Sequence, residues 1–95
     1  MTNREALVRL AANKNDRFAL LSLRENNAEI IRITLTRYFE SGPVSEKAES
    51  VVMHRVAEHA RSYETQQDPD QWLTQSLSSE CDRLRNEAIQ EKAGR

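Results

Sequence analysis

The sequence is short of the residues that build several common kinds of protein. It has a single cysteine, Cys81, so no disulfide can form within the chain and a small stapled secreted fold is excluded. Two glycines and two prolines are too few for an all-β domain of many tight turns, and too few for a low-complexity disordered chain. With only Gly42 and Gly94 available, there is no glycine-rich phosphate loop. No apolar stretch approaches the roughly 20 residues that a membrane-spanning helix needs. Met1-Thr2-Asn3-Arg4-Glu5 leads into no apolar segment of signal-peptide type. These absences predict a cytoplasmic protein with no membrane contact. Neither sign of charge dominates, since 14 Lys and Arg stand against 15 Asp and Glu for a formal net charge of −1. That balance removes the simplest argument for a nucleic-acid binder, a global basic excess.

What the chain does have is helical periodicity, over a length of 95 residues that suits one domain. Ala6, Leu7, Leu10 and Ala11 mark one face of a first helix over about 4–13. Asp16 is placed to cap a short second helix carrying Phe18, Leu20 and Leu21. Ile31, Leu35, Tyr38 and Phe39 form one stripe of a helix over 27–40. Ser41-Gly42-Pro43 then reads as a break. Ala48, Val52, Val56 and Tyr63, flanked by Val51 and Ala60, predict a helix over about 45–63. Asp68-Pro69-Asp70-Gln71 carries the signature of a helix start, with Asp68 as cap, Pro69 in the first turn and Gln71 placed to complete a capping box. Leu73, Leu77, Cys81, Leu84 and Ala88 follow at helical steps, and residues 90–95 read as a frayed tail. The expectation is a compact all-α bundle of about four helices.

Catalytic chemistry has little to stand on, and no catalytic residue, metal ligand or cofactor is predicted. His54 and His59 are five apart, which is not the i, i+4 pairing of helical metal sites. Cys81 falls on the apolar stripe of the last helix, as a small core residue does. Charge is uneven along the chain: residues 1–43 carry +2 and residues 44–95 carry −3. Arg83 and Arg85 suit short-range phosphate contacts, or else pair with Glu80, Asp82 and Glu87 on a wet face. Trp72, the only tryptophan, suits a core anchor, or else an exposed ring that stacks on a base or fills a partner's pocket.

The order of these signals resembles region 2 of the sigma-70 family, most closely the extracytoplasmic-function type. The resemblance rests on Ala6 to Leu10, Asp16-Arg17-Phe18-Ala19-Leu20-Leu21, the Ile31 to Phe39 stripe, Ala48-Glu49-Ser50-Val51-Val52, Arg61-Ser62-Tyr63, Asp68-Pro69, Trp72-Leu73 and Asp82-Arg83-Leu84-Arg85. Together these span residues 5–86. The resemblance implies a domain that binds the clamp helices of RNA polymerase core and recognises promoter −10 DNA. By position it puts Val51, Val52, Met53, His54 and Val56 on the polymerase- or partner-binding helix, and Trp72, Arg83 and Arg85 on the DNA-facing helix. Met53 and His54 stand where the family carries a glutamine and an acid. The −35-reading domain of the family has no counterpart in these residues, and a separate −35-reading subunit is one partner that would supply it. A second expectation is a diverged sigma mimic, a protein-interaction module that binds an anti-sigma factor or another subunit without DNA. Val51, Val52 and Met53 would then form an adaptable apolar patch.

Overall fold

The first helix is set by its own ends. Thr2 Oγ1 accepts from the Glu5 backbone N–H at 3.1 Å, and a Glu5 carboxylate oxygen accepts from the Thr2 N–H at 3.0 Å. This reciprocal capping box starts α1 (Asn3–Ala12), which buries Ala6, Leu7 and Leu10. Asp16 then caps α2 (Arg17–Asn26), accepting from the Ala19 N–H at 3.0 Å and from Arg9 Nε at 2.8 Å. The cap is where the sequence puts it, and Leu20 packs half-buried against the core, but Phe18 and Leu21 of the predicted face do not. Ala19 and Leu23 point inward, one turn apart, while Phe18 and Leu21 are exposed at 76% and 53%. Four consecutive apolar residues offer two helical registers, and the short turn from α1 selects the one that faces α1.

Helix α3 (Ala28–Tyr38) follows directly and buries Ile31, Thr34 and Leu35. Tyr38 and Phe39 pack against the core half-buried. An amide cluster fixes the corner between α2 and α3. Asn3 and Asn27 exchange hydrogen bonds at 3.0 and 2.8 Å, Asn27 also donates to the Leu23 carbonyl at 2.7 Å, and Asn3 donates to Asp70 at 2.7 Å. The computed structural model describes residues 1–39 and 43–93, so the break predicted at Ser41-Gly42 lies outside the described residues.

Helix α4 (Pro43–His59) touches each of the other four helices. Two adjacent rows at four-residue steps, Ala48-Val52-Val56-Ala60 and Met53-Ala57, are buried. A single 3₁₀ turn, Ala60–Ser62, ends it and delivers Tyr63 into the core. The Tyr63 hydroxyl accepts from Arg4 Nε at 3.2 Å and donates to the Gln67 carbonyl at 3.1 Å. Helix α5 (Pro69–Ala93) begins as the sequence predicts, with Asp68 accepting from the Asp70 N–H at 3.0 Å. Among the described residues Gln71 makes no hydrogen bond back to Asp68, whereas a complete capping box is present at Thr2 and Glu5. The helix also continues to Ala93, past the point at Gln90 where the sequence predicts fraying. At 25 residues α5 is about 37 Å long, and it spans most of the 42 Å long axis of the molecule. It buries Trp72, Leu73, Leu77, Glu80 and Cys81, while residues 85–91 are exposed.

The chain is thus an all-α bundle of five helices, with no strand among the described residues. No helix among those residues is long and apolar enough to cross a membrane.

Two outcomes follow from this packing. Leu23→Ala should destabilise the fold by about 2–5 kcal/mol, as a buried leucine truncation does, whereas Phe18→Ala should change stability by less than about 0.5 kcal/mol; denaturant titration of both variants checks the contrast. The carboxyls of Glu5 and Asp16 are held below their ordinary values of 4.5 and 3.8, chiefly by the backbone N–H groups they accept from, at Thr2 and Ala19 respectively. Their contribution to stability is therefore complete above those ordinary values and is lost as pH falls through the lowered ones. Melting curves taken into the acid range should show Asp16→Asn, which keeps a cap without the charge, declining less steeply than the parent chain.

Candidate functional site

The end of α4 and the middle of α5 face each other across an open groove of about 330 Å³. Trp72, Gln75, Ser76, Ser79, Glu80 and Arg83 line it from α5, at the three- and four-residue steps that place side chains on one helical face. His59 and Ser62 line the opposite wall.

Glu80 organises this groove. It is a carboxylate only 4% exposed, lying on the same helical row as Leu73, Leu77 and Leu84. Burying such a group is costly unless a cation or donor meets it. Here one oxygen, Oε1, lies 3.2 Å from His59 Nε2 and 3.2 Å from Arg83 Nη1. The other, Oε2, is buried with no hydrogen-bond partner among the described residues. His59 and Arg83 themselves are about half exposed, at 51% and 59% of their side chains. The buried acid thus meets two solvent-facing nitrogenous groups, one from each wall of the groove. Ser62 Oγ donates to the His59 carbonyl at 2.8 Å, tying the 3₁₀ turn to the end of α4 beside the same site.

The sequence-predicted residues divide between surface and core. Arg83 faces the groove, but Arg85, two residues on, lies on a different side of α5 and does not join it. Trp72 is corrected from a DNA-contacting residue to a core residue. Its ring is 8% exposed and packs edge-on against Tyr63, with centroids 5.9 Å apart and planes at 77°. Val52, Met53 and Val56 are likewise corrected from a partner surface: all three are fully buried, because α4 is enclosed by the other helices. Val51, 39% exposed, and His54 remain at the surface. His54 lies beside the α1–α2 turn, in a hollow with Lys14, Asp16, Arg17 and Leu20, and its Nδ1 is 2.8 Å from the Ser50 carbonyl. The two histidines therefore belong to separate surroundings, and no group of three or more metal-binding side chains occurs among the described residues.

Cys81 is fully buried beside Glu80, and its thiol is pushed up to about 11, first by burial and then by the neighbouring carboxylate charge. The residue that sequence reasoning undervalued is Glu80 itself. The signal was its place on an apolar helical row, where a charged side chain needs a partner.

Comparison with protein-family models, curated proteins and solved structures found no match.

The burial of Cys81 has a direct chemical readout. Titration of the native chain with a thiol-reactive chromophore at neutral pH should give almost no labelling, and one equivalent on addition of denaturant. Fast labelling of the folded chain would contradict the packing of α5 described above.

Proposed function

We propose that this chain is a sigma region 2-like module of transcription initiation, which docks on the clamp helices of RNA polymerase core and lays α5 against promoter −10 DNA. The ordered resemblance over residues 5–86 supports this reading. The observation that carries it is the division of α4 into two faces. Its buried rows fix the helix in the bundle, and Val51 and His54, three residues apart, share an outer edge. That edge runs beside α2, where Arg24 meets Glu49 at 3.3 Å and Arg17 shares the hollow of His54. A docking helix would thus meet a small apolar contact at Val51, with His54 one turn on and Arg17 in the hollow beside that histidine. On α5, Arg83 is the DNA contact of this reading, without Trp72. The action is non-enzymatic: binding positions DNA and polymerase relative to each other.

A second reading is favoured by the exposure of Phe18 and Leu21, which leaves apolar surface on α2 beyond what the bundle uses. It is an interaction module that binds an anti-sigma factor or another subunit, including a separate −35-reading one, without DNA.

Capture of core polymerase on the immobilised chain separates them. Under the first reading the parent chain retains polymerase, and Val51→Asp lowers retention about tenfold or more with an unchanged melting temperature. Absence of capture, together with a stable complex with a purified anti-sigma factor, would decide for the second.

A further inference from the structure

The groove between α4 and α5 has a chemistry that neither polymerase docking nor base recognition uses. Almost every group that reaches its surface can donate a hydrogen bond. Arg83 supplies a guanidinium, of which Nη1 faces Glu80 and the remaining N–H groups are free to point elsewhere. Ser76 and Ser79 add hydroxyls, and His59 adds a half-exposed imidazole whose Nε2 faces the same carboxylate, so that it donates outward from Nδ1 only as the imidazolium. The single acid is at the back of the groove, almost wholly shielded from solvent, whereas the donors are in front. We propose that this groove is a binding site for a phosphodiester oxyanion, in which Glu80 is a positioning residue that holds Arg83 and His59 toward the ligand.

The physical case rests on preorganisation. A free arginine side chain loses much rotamer freedom when it fixes a phosphate, whereas one already held by a buried acid has given up that freedom on folding. Arg83 and His59 come from different elements, α5 and the end of α4, and share one oxygen of Glu80. Both are thus fixed relative to each other by one group. The serines sit one turn and two turns before Arg83 on the same face, where their hydroxyls extend the donor surface along a backbone strand. The open shape suits a chain that passes through, rather than a small molecule enclosed on all sides.

This inference rests on the DNA-contact half of the proposed function, but it can stand or fall separately. The probe is a short single-stranded abasic oligomer, which offers sugar and phosphate without bases, measured by fluorescence anisotropy at several salt concentrations. The parent chain should bind it, with affinity that falls as salt rises. Arg83→Ala should weaken binding about tenfold and reduce the salt slope by about 0.7, the value of one single-strand phosphate contact. Glu80→Gln is the decisive variant. It removes a negative charge next to the site, so simple repulsion predicts tighter binding, while loss of positioning predicts binding about fivefold to tenfold weaker. Arg85→Ala, off the groove, should leave the affinity unchanged. Equal or tighter binding by Glu80→Gln, with a cooperative melt showing that it is folded, overturns the positioning role. Should Glu80→Gln fail to fold, Arg83→Ala against Arg85→Ala decides, and equal effects of the two overturn the groove. No binding of the abasic oligomer by the parent chain at low salt also overturns it. Oligomer binding through the groove without polymerase capture would sustain this site and remove the sigma-like reading; polymerase capture without oligomer binding would do the reverse.

Discussion

The enclosure of α4 is the constraint on which the other features depend. A helix that packs against four others must be apolar over more than one stripe, and α4 meets this with two adjacent rows. Small residues at positions 48, 57 and 60 let neighbours approach, while Val52, Met53 and Val56 fill the space between them. Once those side chains are inside, the exposed side of α4 is mostly polar, with Lys47, Ser50, His54, Glu58 and His59 at the surface and Val51 as its apolar member. The same enclosure sets where α4 must stop. Its last residue, His59, and the 3₁₀ turn that follows come to lie against the middle of α5. The groove is therefore a by-product of how the core is closed.

Much of this could be read from the sequence. Helical class followed from periodicity and from the scarcity of glycine and proline, and the caps at Asp16 and Asp68 fell at their predicted positions. The inner face of α2 could not be read, because Phe18-Ala19-Leu20-Leu21 satisfies either register and only the contact with α1 distinguishes them. The candidate site was half legible. The sequence offered Arg83 and Arg85 together, with equal weight, although two residues two apart on a helix do not share a face. Glu80 was hidden for a different reason. A glutamate next to an arginine normally describes a solvated pair, and its burial depends on His59, 21 positions away in the chain, arriving at the same oxygen.

Segmental charge also changes meaning in three dimensions. The −3 of residues 44–95 suggests an acidic half unsuited to DNA. Yet Glu49 meets Arg24 from the other half of the chain, Glu87 meets Arg55, and Glu80 is buried between two basic groups. Of these acids only Glu80 lines the groove, and it is buried there, so that arginine, imidazole, amide and hydroxyl groups make up the rest of its polar lining. Charge summed along a sequence is a poor guide to charge arranged on a surface.

The amide cluster at Asn3 has a consequence for how the chain reaches this fold. Asn3 is joined to Asn27 across 24 residues and to Asp70 across 67, so one short side chain holds the opening of α1, the α2–α3 corner and the first turn of α5 together. Contacts that distant must wait for the intervening chain to be compact before they can form. The first residues of α1 are accordingly a clasp across these three places, whose closure requires the chain segments between them to be already compact.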